Sequence, residues 1–161
     1  TSQEIWAAMP HAAADDAECV LFNDIPDYRA DLALGDEALH RWGLLVSLRD
    51  AVNKALENAR TAGVFKKAQD TEVTLSVSEQ DAAFLAGEDL ATLCIVSSVI
   101  VTTGSLEGER ADECRIPCTI AVRLSDAPKC PRCWNHNEHV GGDPEHPDLC
   151  PRCAGVVRGQ G

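Results

Sequence analysis

Aromatic side chains are scarce: three Trp, one Tyr and three Phe make up 4% of the 161 residues. Any core must therefore be mostly Leu, Val, Ile and Ala. Basic charge is short as well. Fourteen Lys and Arg stand against 26 Asp and Glu, a net charge of −12. A protein that holds bare nucleic acid by bulk electrostatics needs a basic footprint instead. No apolar run reaches the ~18–20 residues that cross a bilayer. No charged start followed by an apolar stretch reads as a secretory signal. Membrane and export classes are set aside, and a cytoplasmic location is expected.

Catalytic signatures are missing too. There is no Gly-x-x-x-x-Gly-Lys phosphate loop, no Gly-x-Gly-x-x-Gly turn and no Gly-x-Ser-x-Gly elbow. Carboxylates abound, but none has a partner that would make it a general acid or base. No active site, and hence no catalytic residue, is expected within the chain.

What the sequence does have is cysteine, eight in all, with 45% hydrophobic residues overall. Cys130-Pro131-Arg132-Cys133 and Cys150-Pro151-Arg152-Cys153 form two matched pairs, sixteen residues apart. Each Cys-x-x-Cys turn aims two thiolates at one point and supplies half a tetrahedron. Two such turns close a structural zinc site with no open position. The segment between them contains Gly141-Gly142, Pro144 and Pro147, and little that is apolar beyond Val140 and Leu149. It cannot build a core, so a metal must supply its folding energy. Two disulfides would need a secretory context, and a thioredoxin-type motif would need a single pair near a βαβ unit. His136, His139 and His146 are read as solvated loop residues that could replace a thiolate, although four Cys are already in register. Cys94 reads as a small buried hydrophobe. Cys19, Cys114 and Cys118 show no ligand spacing.

Along the chain, Ser2 to Met9 reads as a capped amphipathic helix, the end of a helical domain whose earlier part is absent. Cys19–Phe22 reads as a short extended segment ended by Asp24-Ile25-Pro26. From Asp36 to Ala62 the spacing of Leu39, Trp42, Leu45, Val46, Val52, Leu56 and Ala59 predicts a long helix, with Gly63 at its C-cap. Its other face carries Arg41, Arg49, Lys54, Glu57 and Arg60, a solvated surface or a basic stripe for a polyanion. Val73, Leu75 and Val77 alternate as a strand, Ser78 caps a helix through Leu85, and a brief helix covers 88–93. Cys94–Thr103 and Cys118–Leu124 read as strands with a loop between. The fold class is α+β: a helical segment, a small three-stranded α+β unit and a C-terminal tetracysteine zinc ribbon or finger. The expected divisions are 1–65, 66–127 and 128–161.

Lys129-Cys130-Pro131-Arg132-Cys133-Trp134, a polar segment and then Cys-x-Arg-Cys resembles the C-terminal zinc domain of bacterial isoleucyl-tRNA synthetases. Ser2–Trp6 is similar to the last helix of that family's anticodon-binding bundle, Val52–Arg60 to the long helix that follows, and Glu72–Leu75 to the strand opening the C-terminal junction. Phe65–Asp70 departs from the family's usual linker. The resemblance implies the tail of a cytoplasmic class I synthetase, which activates isoleucine with ATP and esterifies it to tRNA. The catalytic core, its ATP sites and the editing domain would lie upstream, so no catalytic residue carries over. What carries over is one structural zinc on Cys130, Cys133, Cys150 and Cys153, and a place beside the tRNA anticodon. Expected partners are tRNA and the upstream domains of the same polypeptide, in a monomer. The same cysteine pattern resembles the zinc finger of formamidopyrimidine-type DNA glycosylases, but neither an N-terminal Pro nucleophile nor a helix–two-turn–helix is found. A stand-alone zinc ribbon that scaffolds a protein is the further alternative.

An acidic chain must still meet an RNA. Residues 128–161 hold four basic and four acidic residues, so they are neutral, while residues 1–127 carry the whole −12. A zinc tetrathiolate would add −2. Arg132 and Arg152 each sit in a metal-binding turn, and Trp134 lies beside one of them. Guanidinium and indole planes suit unpaired bases. Lys129, Arg132, Trp134 and Arg152 are therefore the candidate RNA contacts. Packing over the zinc turn is the competing role for Trp134, and bonds to cysteine sulfurs or carboxylates the competing role for the arginines.

Overall fold

The computed structural model describes residues 1–12, 17–25 and 27–159. The chain divides into two compact units, Thr1–Asp36 and Glu37–Gly161. The first holds helix α1 (Ser2–Ala8), N-capped by Thr1 rather than Ser2. Polar side chains tie α1 to the segment after it: Trp6 Nε1 donates to the Ala17 carbonyl (2.9 Å) and Gln3 Nε2 to the Glu18 carbonyl (2.8 Å). Trp6 stacks on His11 with ring centroids 4.0 Å apart. The stretch expected to be extended at Cys19–Phe22 is a 3-10 turn over Val20–Phe22. Asn23 Nδ2 donates back to the Val20 carbonyl (3.2 Å) and stabilises the turn. Pro26, the expected end of this stretch, lies outside the described residues.

The second unit opens with helix α2 (Asp36–Thr61). It ends in a Schellman motif: Val64 N–H reaches the Ala59 carbonyl, Gly63 N–H reaches Arg60, and Gly63 takes φ +80°. The buried stripe is Leu45, Leu48, Val52, Ala55 and Leu56. This corrects the expected stripe, because Leu39, Trp42 and Val46 are exposed. Val46, between buried Leu45 and Leu48, points off the covered face; for Leu39 and Trp42 the reason is length. A 26-residue helix runs about 39 Å, whereas strands of five to seven residues run about 17–23 Å, so the first turns overhang the sheet.

The sheet has four strands, one more than expected: β1 (Thr71–Ser76), β2 (Ser98–Thr102), β3 (Glu109–Ala111) and β4 (Cys118–Leu124). Their order is β2-β1-β4-β3. β1 pairs with β2 in parallel (Leu75 opposite Val101) and with β4 antiparallel (Leu75 opposite Ile120). Helices α3 (Glu79–Leu85) and α4 (Leu90–Cys94) make the crossover from β1 to β2. Thr71, Val73 and Leu75 of central β1 are fully buried, and Val73 and Leu75 share one core with α2. Ser78 caps α3 by accepting from the Asp81 amide, as expected, and Gly87 takes φ +87° just past its end.

Two further expectations are corrected. The strand read as 94–103 starts only at Ser98, because Asp89 caps α4 and draws Leu90–Cys94 into a helix. Ile95 then ends α4 in the left-handed region at φ +57°, at a cost of roughly 1–2 kcal/mol for a side chain with Cβ. The expected loop 105–113 contains β3, the short edge strand. Gly108 leads into it so close to β4 that a Cβ there would lie 2.3 Å from the Ile120 carbonyl oxygen. No helix among the described residues is long and apolar enough to cross a membrane.

Candidate metal centre

The first Cys-Pro-Arg-Cys turn closes on itself. Trp134 N–H donates to the Cys130 carbonyl (2.8 Å) and Cys130 N–H to the Asn135 carbonyl (3.0 Å). Trp134 accommodates this closure at φ +65°. The second turn opens helix α5 (Pro151–Arg158), which the sequence reading did not foresee. Cys150 is its N-cap and Pro151 occupies the first helical position, where a missing N–H costs nothing.

Between the turns, Gly141 bends the chain at φ +91°. The Asp143 carboxylate accepts from the amides of Glu145 (3.0 Å) and His146 (3.2 Å) and pairs with Arg158 of α5. Val140 and Leu149 pack on the cysteines and Ala154 of α5 is buried, and among the described residues this part has no larger core.

All four sulfurs lie within 4.8 Å of one another. Cys130, Cys150 and Cys153 are buried and Cys133 is partly so. Among the described residues this is the one group of three or more metal-ligating side chains that gathers at a point; no His joins it. A tetrahedron with Zn–S bonds of ~2.3 Å has edges of about 3.8 Å, and the Cys133 and Cys150 sulfurs stand 3.8 Å apart. None of the eight cysteines is bridged to another. The donor set fits one structural zinc ion, leaving no position for a substrate.

The surroundings treat the sulfurs unequally. Burial pushes the Cys130 thiol up, but the amides of Cys133, Cys150 and Arg132 aimed at it outweigh burial and bring it down to about 6. Burial raises Cys133 to about 12, helped by the three neighbouring thiols, and burial also raises Cys150. A divalent cation at the centre would reverse the last two. Arg132 Nη1 lies 3.7 Å from the Cys153 sulfur, so one guanidinium links the two turns and offsets thiolate charge.

The other candidates fall on the outside. Trp134 is 62% exposed, so it does not pack over the turn. Arg132 and Arg152 are exposed. Lys129 pairs with Asp70, just before β1. His136 is not the solvated residue expected. Its ring nitrogens face the Ala127 carbonyl (2.6 Å) and the Asp70 carboxylate (3.3 Å), and its amide donates to Ser97 Oγ (2.7 Å). Lys129 and then His136 hold the Asp70 carboxyl below the usual carboxylate range. Asp70, Ser97, Lys129 and His136 thus fasten the cysteine module to the sheet. The sequence offered no signal for this, since the partners are 39 to 66 positions apart. Cys94 and Cys118 are buried in the main core, and Cys114 meets Ser47 at 3.6 Å.

Residues 128–155 match the model of a zinc finger found in FPG and IleRS. Over nearly its whole length the chain is similar to proteins named isoleucine–tRNA ligase. It is 36% identical to that of Geobacter sulfurreducens over 98% of the chain, 35% to that of Teredinibacter turnerae over 100%, and 37% to that of Geobacillus thermodenitrificans over 98%. In each case the chain spans about 17% of the length of the relative it matches.

Proposed function

The chain is related end to end to the C-terminal part of isoleucine–tRNA ligases, and on that premise we propose that it is the tRNA-contacting tail of such a ligase. In this reading residues 1–65 end the anticodon-binding helical domain, with α2 packed on the junction formed by 66–127, and 128–161 carry the zinc. ATP-dependent attachment of isoleucine to its tRNA takes place in the rest of the polypeptide, a cytoplasmic monomer. The whole-chain relatives favour this reading over a glycosylase finger or a free-standing scaffold.

One observation carries it. The turn built by Cys130 and Cys133 leaves Trp134 62% exposed, two residues after Arg132, whose guanidinium lies 3.7 Å from the Cys153 sulfur. An exposed indole on a metal-held turn that also carries a cation suits stacking on an unpaired base, and zinc would hold that turn in shape. Arg152 on α5 adds a second cation. Lys129, engaged by Asp70, positions the module beneath them.

The test is the affinity of the zinc-loaded chain for isoleucine-accepting tRNA. Stacking is worth roughly 1–3 kcal/mol per base, so Trp134→Ala should weaken binding about 5- to 150-fold with zinc content unchanged. Full affinity in a variant that keeps its zinc would remove the indole from the interface.

A further inference from the structure

Among the described residues, Ile95 and Trp134 are the two non-glycine residues with positive φ. Both are large, apolar and more than half exposed, at 60% and 62%. An L side chain is rarely left in this conformation, least of all a β-branched one, and glycine would fit there without strain. The backbone at each has a folding role, the end of α4 and the closure of the first cysteine turn, but the side chains meet solvent.

They also lie in segments that are tied together. Ser97, two residues after Ile95, accepts from the amide of His136, two residues after Trp134. Chain geometry then keeps the two strained residues within about 20 Å of each other. The other end of the same segment faces the module too. Thr92 holds the Asp89 carboxyl below the usual carboxylate range, and the Arg152 guanidinium adds to this.

Ile95 borders a cleft of about 480 Å³ between the middle of α2 and the stretch after it. Arg49, Arg60 and Lys66 line the cleft, with Glu57 as its one carboxylate and the buried ring of Phe65 also in its wall. Glu57 pairs with Arg60. Arg49 and Lys66 have no carboxylate within 4 Å among the described residues. The cleft is therefore net positive by two on a chain of net charge −12. Its size suits a small ligand or a single nucleotide.

We propose that this cleft is a second RNA contact, which takes one unpaired nucleotide of the strand that meets Trp134, with its phosphate on Arg49 and Lys66 and its base against Ile95. The proposal rests on the tRNA reading above. A positive cleft needs a polyanion, and the exposed apolar rim favours a base over a bare phosphate. The basic stripe seen on the long helix in the sequence thereby gains a use, confined to Arg49, Arg60 and the neighbouring Lys66.

The experiment measures binding of the zinc-loaded chain to isoleucine-accepting tRNA across a range of salt concentrations. Lys66→Gln, on an exposed side chain, and Arg49→Gln should each weaken binding several-fold and lower the salt slope by about 0.7–1, with unchanged zinc content. Ile95→Gly should raise the melting temperature by relieving the left-handed strain, yet weaken tRNA binding several-fold. A structural role for Ile95 would not separate the two in this way. Wild-type affinity and salt slope in both charge variants would overturn the cleft. If Trp134→Ala weakens binding while the cleft variants do not, the cleft alone falls. If the wild-type chain binds no tRNA, both readings fall.

Discussion

A thiol buried in a core and a thiolate held by a metal resist alkylation for different reasons, and this chain contains both. Burial pushes Cys94 up to about 11 and Cys118, with help from Cys114, up to about 12. Reactivity requires the thiolate, which only develops as pH rises through the thiol's pKa. At pH 8 these two cysteines should stay unmodified by iodoacetamide while the chain is folded, with or without a chelator. Cys130, Cys133, Cys150 and Cys153 should be protected only while zinc is bound. Mass spectrometry of the labelled peptides distinguishes the groups. Rapid labelling of Cys94 or Cys118 in the folded chain would contradict their placement in the core. The spacing of the four ligating cysteines made their role legible in the sequence, because two Cys-x-x-Cys turns have few uses. His136 was not legible: its partners Asp70 and Ser97 are far away in the chain, and a histidine in a polar loop carries no mark of what it will touch.

At the level of elements, alternation revealed β1 and β4, and capping residues revealed α3. A helix of 26 residues was equally plain, but the half of it that would be covered depended on how far the sheet extends. The buried stripe predicts unequal costs along α2. Leu48→Ala, at a fully buried position, should lose roughly 2–5 kcal/mol in urea unfolding. Leu39→Ala, at a position 55% exposed, should lose no more than about 0.5 kcal/mol. Equal losses would refute the overhang. Gly108→Ala should cost roughly 1–3 kcal/mol, because its methyl would press on the Ile120 carbonyl and prise β3 from β4. β3 escaped the sequence reading and β2 was read from Cys94 instead of Ser98, both for physical reasons. Three residues at a sheet edge hold no period, and the apolar run from Cys94 onward is divided by a cap at Asp89 and a turn at Ile95 that hydrophobicity alone does not register.

For the molecule as a whole, stability comes from two sources. Residues 45–122 share an apolar core, whereas the part after Lys129 is organised around sulfur, with Val140 and Leu149 as its small apolar margin. Chelation should therefore abolish amide protection after about residue 129 while α2 and β1 keep theirs, as read by hydrogen exchange. Loss of protection throughout would mean that the metal also holds the sheet. The tRNA-facing reading depends on the same centre, since Trp134, Arg132 and Arg152 owe their positions to the two turns. The most direct measurement is X-ray absorption at the zinc edge of the purified chain, combined with metal analysis. One zinc per chain with four sulfur neighbours at about 2.3 Å is the expected result. A metal-free protein that keeps the module folded, a disulfide between these cysteines, or nitrogen in the coordination shell would contradict it.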